Sequence, residues 1–112
     1  MNKQFIVPRS YKLTDYNGSD GRFKTINPNE AIILSHLPTK WKWIVRDNQN
    51  NLYLHTHKPH LRSKIKAPGL WDWSDNPEAK VMKFPYTSLF KCIKMTDTEP
   101  TNIDKLLKEN II

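Results

Sequence analysis

The feature that most constrains the fold is a pair of alternating segments on either side of a polar turn. Alternation with a period of two runs through Trp41–Arg46 and again through Leu52–His57. Such alternation is typical of strands, because successive side chains of a strand point to opposite faces. The connecting segment Asp47–Asn51, DNQNN, is rich in residues that tolerate the backbone angles of turns. The sequence therefore predicts a β-hairpin over Trp41–Thr56.

The alternation also divides this hairpin into two faces. We expect one face to pack in the core, with its two indoles buried rather than stacked on a ligand; it carries Trp41, Trp43, Leu52 and Leu54. The opposite face carries Lys42, Arg46, Tyr53, His55 and His57, with Ile44 as an apolar exception. The pattern therefore predicts a sheet that presents positive charge to water.

A helix is predicted in NPNEAIILSHLP, Asn27–Pro38. Asn27 suits the N-cap, Pro28 the first helical position and Glu30 the third, as in a capping box. Pro38 would end the helix after about two to three turns. Ala31 and Leu34 would face the core, with Ile33 and Leu37 as further candidates.

A second short helix is predicted near the C-terminus. Thr101 is its expected N-cap, and Asp104, three positions later, places a carboxylate near the positive end of the helix. An apolar stripe with helical spacing would face the core: Ile103, Leu106, Leu107 and Ile111.

The remaining segments carry shorter patterns. In Leu70–Ala79, Trp71 and Trp73 either share one face of a strand or anchor an irregular segment onto the core. Elsewhere we expect a strand at Phe5–Val7, a hairpin around the Asn-Gly turn of Asp15–Gly21, a mobile basic loop at Lys58–Gly69, a strand or connector at Lys80–Pro85 and a last strand at Ser88–Met95.

The length of 112 residues predicts a single domain, residues 1–112. The expected fold is α+β: a small antiparallel sheet with two short helices, for which a partly open SH3-like barrel is one form. No run approaches the roughly 20 apolar residues of a membrane span, and the N-terminus lacks the apolar core of a secretory signal. Cys92, the only cysteine, excludes an internal disulfide and is expected to be a small buried hydrophobe in a reducing cytoplasm.

The net charge of +7 is unevenly distributed. Between residues 40 and 66 only Asp47 opposes the cations Lys40, Lys42, Arg46, Lys58, Arg62, Lys64 and Lys66, whereas acids outnumber bases from Thr96 onward. This asymmetry favours one face for an acidic partner: nucleic acid, an acidic protein or an anionic surface. The alternative is solubility alone, because lysine, asparagine and isoleucine share AT-rich codons and genome composition can explain much of the lysine.

The motif HTHKPH places His55, His57 and His60 close together in sequence. Zinc needs three or four donors, and only Asp72 or Asp75 offers itself as a fourth ligand. We therefore expect exposed histidines beside a basic loop, and no metal.

Catalytic motifs find no match in the chain. There is no G-x-S-x-G turn, no glycine-rich phosphate loop and no H-E-x-x-H helix. The available acid groups are Asp72, Asp75 and Glu78, or Asp15 and Asp20; both lie in turn-like contexts, where aspartate usually bonds the backbone. We therefore expect a binding protein that is not an enzyme and takes no cofactor.

Cations interleaved with aromatic residues have the composition that binds nucleic acid, because cations neutralise phosphates and rings stack on bases. Exposed tryptophans would instead suit the hot spot of a protein interface. The candidate binding residues are Lys42, Arg46, Tyr53, His55, His57, Lys58, Arg62, Lys64, Lys66, Trp71 and Trp73.

The segment KWIVRDNQNNLYLHTHKP, Lys42–Pro59, resembles a pattern in small proteins encoded by phages and prophages of low-GC Gram-positive bacteria. That pattern runs lysine-tryptophan-isoleucine-alanine-arginine-aspartate, a glycine-containing turn, leucine-tyrosine-leucine-tyrosine and lysine-proline. Leu89–Leu107 is similar to the segment that often closes those chains. The chain departs from the pattern at DNQNN, which lacks the turn glycine, and at His55 and His57.

The resemblance implies a phage accessory protein and supplies no catalytic residue. We therefore expect a non-enzymatic protein of the bacterial host cytoplasm that engages an acidic partner, nucleic acid first, through the basic hairpin face and loop. The alternative is an inhibitor or modulator that binds a host or defence enzyme through Trp71, Trp73 and nearby loops.

Overall fold

The computed structural model describes residues 24–63 and 67–110. In chain order the elements are α1 (Pro28–Ser35), β1 (Trp43–Arg46), β2 (Leu52–His55), β3 (His60–Ser63), β4 (Ala67–Asp72), β5 (Val81–Phe84), β6 (Thr101–Asn102) and α2 (Ile103–Asn110). The predicted strand at Phe5–Val7, the predicted hairpin around Asp15–Gly21, and the residues Lys64, Lys66 and Ile111 lie outside the described residues.

The described strands form two antiparallel sheets. One has four strands in the order β5-β2-β1-β6, and the other is the two-stranded hairpin β3-β4. The α+β class is thus confirmed, whereas an SH3-like barrel is not, since the strands lie in two separate sheets. Lys80–Pro85, for which the sequence left a strand or a connector open, contains the strand β5.

The central hairpin is confirmed, and its turn explains why it needs no glycine. The Asp47 carboxylate accepts hydrogen bonds from the backbone N–H groups of Gln49 and Asn51, each at 2.9 Å. Asn50 adopts a φ of 69°, in the left-handed region that asparagine tolerates better than most residues. The Asp47 carboxylate therefore stabilises the turn, and Asn50 adopts the positive φ that glycine adopts in other turns.

The predicted division of the hairpin into faces is wrong, and the register shows why. Arg46 lies opposite Leu52 and Ile44 opposite Leu54, so the even-numbered residues of both strands share one face. Ile44, Leu52 and Leu54 are fully buried on that face and form the centre of the core. Trp43, grouped in the prediction with Leu52 and Leu54, lies instead opposite His55 on the outer face and is only half-buried.

Trp41, just before β1, is buried as predicted and belongs to the core cluster. Residues of both helices cover the inner face of the four-stranded sheet: Ala31 and Leu34 from α1, and Ile103, Leu106 and Leu107 from α2. The apolar spacing of the two helices therefore predicted their core-facing residues correctly.

The placement of Arg46 on an exposed cationic face is wrong, since only 5% of this residue is exposed. Its guanidinium donates to the carbonyl oxygens of Ile93 (2.6 Å), Leu89 (2.7 Å), Phe90 (3.0 Å) and Thr87 (3.0 Å). It also donates to Asn50 in the turn, to the backbone oxygen at 3.2 Å and to Oδ1 at 3.1 Å. Burial lowers the pKa of Arg46 from its ordinary value.

The strand predicted at Ser88–Met95 is wrong for the same reason. The carbonyl oxygens of this segment bond the Arg46 guanidinium, and the segment runs as successive turns between Thr87 and Asp97. Phe90 sits at its centre with a φ of 57°, a conformation that is uncommon for a bulky residue. The ring of Phe90 and the side chain of Ile93 are buried in the core.

The N-terminal cap of α1 reaches into this same segment. The predicted capping box is confirmed: Asn27 Oδ1 accepts from the Glu30 N–H at 2.8 Å, and Glu30 Oε1 accepts from the Asn27 N–H at 3.0 Å. The second oxygen of Glu30 accepts the backbone N–H of Phe90. Glu30 is therefore both a cap and a tertiary anchor, which accounts for its burial.

Two other predicted boundaries are corrected. The cap of α2 is Asn102, whose Oδ1 accepts from the Lys105 N–H at 3.0 Å, while Thr101 pairs with Ile44 in β6. The segment predicted as a mobile loop, Lys58–Gly69, contains β3 and the first half of β4, and these strands pair with Leu61 opposite Trp71. Pro59 lies directly before β3 and Pro68 lies within β4. These prolines indicated a loop, because proline is disfavoured in most strand positions and occurs mainly in edge strands.

Replacing the buried arginine should unfold this part of the core. Arg46→Ala leaves at least four carbonyl groups without their donor, so we expect the free energy of unfolding to fall by about 3 kcal/mol or more. Urea denaturation followed by tryptophan fluorescence measures the loss. The matched control is Arg62→Ala, because the Arg62 side chain is exposed and contacts Asp72 at the surface, and we expect it to change stability little. Equal effects of the two substitutions would contradict the structural role of Arg46.

Candidate binding cleft on the outer face of the sheet

The cations predicted to form a basic face are largely compensated by carboxylates. The side chain of Lys42 lies 3.8 Å from Asp104, that of Lys58 lies 3.9 Å from Glu99, and that of Arg62 lies 2.9 Å from Asp72; these are the N–O distances. The acidic C-terminal part of the sequence supplies two of these carboxylates. Positive and negative segments that are distant in sequence thus meet in space and reduce the predicted asymmetry.

Two lysines also lie over indole rings. The ammonium of Lys58 lies 5.6 Å from the centroid of the Trp43 ring, and that of Lys40 lies 5.2 Å from the centroid of the Trp41 ring. Both distances are within the range of cation–π attraction. These cations are therefore engaged within the molecule.

The three histidines of the HTHKPH motif do not converge. His55 is buried, so the expectation that this histidine is exposed is wrong. His57 Nδ1 lies 2.8 Å from the hydroxyl of Thr56, and His60 begins β3 in exposed surroundings. Within residues 24–63 and 67–110, no three His, Cys, Asp or Glu side chains come together as a metal site would require.

The acidic residues considered for catalysis do not form one catalytic group in the described part of the chain. Asp72 pairs with Arg62, and this hydrogen bond lowers the pKa of the Asp72 carboxyl. Asp75 and Glu78 are exposed in the turn after β4, whereas Asp15 and Asp20 lie outside the described residues. Cys92 is half-buried against the core, and burial raises the pKa of its thiol to about 11, so the thiol is protonated at neutral pH.

A cleft of about 290 Å³ lies between the outer face of the four-stranded sheet and the β3–β4 hairpin. We call it the aromatic cleft. The sheet contributes Val45, Tyr53, His55 and Val81; the hairpin and the residue after it contribute Gly69, Leu70, Trp71 and Trp73; Asp47 and Asn48 close one end. Its volume is at the small end of the range for ligand pockets, roughly 300–1,000 Å³, and suits one aromatic group better than a large cofactor.

Two backbone contacts fix the outer wall of the aromatic cleft. The Trp71 indole N–H donates to the carbonyl oxygen of Arg46 at 3.1 Å, and the Asn48 N–H donates to the carbonyl oxygen of Gly69 at 3.0 Å. Gly69 has a φ of 76°, and a Cβ there would lie 2.6 Å from the backbone nitrogen of Asn48. Glycine is therefore required where the hairpin approaches the turn after β1.

His55 is the unusual polar group of this cleft. It is 3% exposed, and among the described residues no hydrogen bond reaches its ring nitrogens. Burial lowers the pKa of His55 to about 4, so the imidazole is neutral at pH 7 and keeps one N–H donor and one acceptor nitrogen. His55 lines the aromatic cleft and its ring nitrogens are not among the fully enclosed unpaired atoms, so this side chain is a candidate for contact with a ligand in the cleft.

The two tryptophans that the sequence left open have different environments. Trp71 is half-buried on β4 and is tied to β1 by its indole N–H, whereas Trp73, just beyond β4, is 56% exposed. Trp73 thus forms the exposed rim of the aromatic cleft. Of the other predicted binding residues, Tyr53 and His55 line the cleft, and Lys42, Lys58 and Arg62 lie elsewhere in ion pairs.

Sequence reasoning missed Val45, Leu70 and Val81 as site residues. Each is an apolar residue in a strand, and such residues are usually assigned to a core. A usable signal was the alternation itself, because Val45 shares a face with Trp43, and two apolar faces on one hairpin predict a second layer above the sheet.

No protein-family model matches the chain, and comparisons with curated proteins and with solved structures likewise find no match. Of the two described helices, neither is long and apolar enough to cross a lipid bilayer.

The buried histidine should make folding stability depend on pH. The pKa of His55 in the folded state, about 4, lies below the ordinary value of 6.5, so the unfolded chain takes up a proton first as the pH falls. The stabilisation is therefore complete above pH 6.5 and is lost as the pH falls towards 4. After allowance for solvent screening we expect a loss of about 2 kcal/mol from this group.

Urea denaturation at a series of pH values measures this dependence. The slope should shrink in His55→Gln and persist in the control His60→Gln, whose ring is exposed. Because His55→Gln can itself perturb packing, NMR titration of the His55 ring in the unaltered protein provides the second measurement. A ring that titrates near 6.5 would contradict the burial argument.

Proposed function

We propose that this chain is a non-enzymatic binding protein that engages an acidic segment of a protein partner through the aromatic cleft. The observation that carries the proposal is the position of Trp73, which is 56% exposed beside Trp71 and Tyr53 at the cleft. Partly exposed tryptophans and tyrosines beside an apolar depression are typical of interaction hot spots. The net charge of +7 favours an acidic partner.

The basic face predicted from the sequence supports this function less well than the aromatic cleft. Arg46 is buried, and the cations of Lys42, Lys58 and Arg62 already lie near carboxylates. A partner would have to displace these pairs before it could use the positive charge. The aromatic cleft needs no such rearrangement, because Trp73 and the open side of the cleft are accessible.

Nucleic acid is the second candidate partner. It is favoured by four exposed lysines, Lys80, Lys83, Lys91 and Lys94. Among the described residues, none of these ammonium groups forms an ion pair. Unpaired bases could stack on the same rings that line the cleft, since stacking on aromatic side chains is tolerant of sequence.

The origin and location of the protein form part of the proposal. The resemblance of Lys42–Pro59 to small phage-encoded proteins favours a phage accessory role and the bacterial cytoplasm as the compartment, and it is compatible with either class of partner. Small phage accessory proteins that redirect host machinery need a specific docking surface and no catalytic centre. The aromatic cleft supplies a surface of this kind.

Affinity capture tests the choice between the two partner classes. We expect the purified chain to retain a protein from nuclease-treated lysate of a low-GC Gram-positive bacterium, and we expect Trp73→Ala to abolish retention because it removes the exposed ring. Lys91→Glu is the matched control, since this exposed side chain does not line the cleft. Folding of each variant is checked by thermal denaturation.

Direct titration with single- and double-stranded DNA provides the opposing outcome. Binding driven by phosphate contacts weakens with salt, with a slope of about −0.7 to −0.9 per contact in a plot of log affinity against log salt. A steep slope, together with loss of all captured material after nuclease treatment, would replace the protein partner with nucleic acid.

A further inference from the structure

The edge of the four-stranded sheet lies beside the aromatic cleft. β5 occupies that edge: it pairs with β2 on one side, and no described strand pairs with its other side. Val81, the first residue of β5, also lines the cleft. An unpaired edge presents backbone N–H and C=O groups, and it is the usual template to which an extended peptide adds a strand.

The side chains of β5 define what such a peptide would meet. Val81 lies opposite His55 and Lys83 lies opposite Tyr53, so both project from the outer face of the sheet. The alternate residues Met82 and Phe84 project from the core face, where Phe84 is buried and Met82 is 39% exposed. On an added strand, residues opposite Val81 and Lys83 would be two apart and would share the outer face.

Charge favours an acidic residue opposite Lys83. Lys83 is exposed, has no ion-pair partner among the described residues, and lies in the same edge segment as Lys80. The carboxylates near the cleft are not paired with Lys83. Asp47 accepts backbone N–H groups in its turn, and Asp72 pairs with Arg62. Asp75 and Glu78 are exposed in the turn before β5.

The polar group inside the cleft favours a tyrosine opposite Val81. The neutral His55 ring has one donor and one acceptor and lacks a partner among the described residues. A tyrosine hydroxyl can donate and accept, so it matches this ring, whereas a phenylalanine offers the ring no hydrogen bond. Valine is short, which leaves room for a long side chain to lean over Val81 into the cleft.

We propose that β5 is extended by an added strand from an acidic protein segment, with a tyrosine in the aromatic cleft and an aspartate or glutamate two residues away, facing Lys83. This inference rests on the proposed function, because it specifies how the protein partner is recognised. Backbone pairing along β5 would supply affinity, and the cleft and Lys83 would supply specificity.

Synthetic extended peptides test the proposal with the full-length protein. The probe is an alternating threonine–valine peptide that carries one tyrosine and, two positions away, one aspartate; both orders are made, because the added strand can run in either direction. Matched peptides replace the tyrosine with phenylalanine or the aspartate with lysine. Titrations are followed by NMR of the backbone amides and of the tryptophan indoles.

We expect shifts at the amides of Val81–Phe84 and at the indole of Trp73, with weaker binding of both matched peptides. Lys83→Glu should weaken the aspartate peptide about three- to tenfold and should strengthen the lysine peptide, because the sign of the charge is reversed. Lys91→Glu is the control of equal charge change away from the cleft and should leave the ratio between the two peptides unchanged.

Three results would overturn the proposal: dissociation constants weaker than about 1 mM for every peptide, equal affinity for the aspartate and lysine peptides, or shifts that leave the β5 amides unchanged. Its failure is distinguishable from failure of the proposed function. If Trp73→Ala still abolishes capture of a protein while the peptides leave β5 unchanged, the cleft binds a protein by another mode. If only nucleic acid is captured, the proposed function fails as well.

Discussion

The fold depends on one buried guanidinium. Arg46 holds the irregular segment after β5 by donating to four of its carbonyl oxygens, and from the opposite side Glu30 accepts the N–H of Phe90. The cationic Arg46 of β1 and the anionic Glu30 of α1 thus bond the same stretch of backbone. These hydrogen bonds satisfy backbone N–H and C=O groups that would otherwise need a neighbouring strand. They also allow Phe90 to keep a left-handed conformation while its ring packs in the core.

The same residue determines which surface is free for a partner. Because Arg46 points into the core with Ile44, Leu52 and Leu54, the odd-numbered residues of β1 and β2 form the outer face. That face carries Val45, Tyr53 and His55 and becomes the floor of the aromatic cleft. Arg46, predicted on an exposed binding face, therefore lies inside the molecule, and the proposed docking surface is the opposite face of the sheet.

Local patterns predicted the fold well where the determining contacts are close in sequence. The Asn27–Glu30 capping box, the apolar stripe of α2 and the hairpin itself were predicted correctly, since each depends on residues a few positions apart. The assignment of faces failed because register is set by the geometry of the turn and shifts every side chain together.

The candidate site was predicted only in part. The sequence pattern indicates Tyr53, Trp71 and Trp73 as candidate binding residues, and all three line the aromatic cleft. The burial of Arg46 and the ion pairs of Lys42 and Lys58, in contrast, depend on groups more than 40 residues away in sequence. Alternation alone could not reveal those contacts.

The approach of Gly69 to Asn48 has a consequence for how this architecture tolerates change. The outer wall of the cleft rests on the sheet at a point where a single methyl group has no room, since a Cβ would meet three atoms of Asn48 within 2.9 Å. The distance between the hairpin and the sheet on the two sides of the cleft thus depends on the absence of a Cβ at Gly69. Any larger residue would force either the hairpin or the turn at Asn48 to move, and both lie outside the hydrophobic core, so the width of the cleft can change without a change in the core.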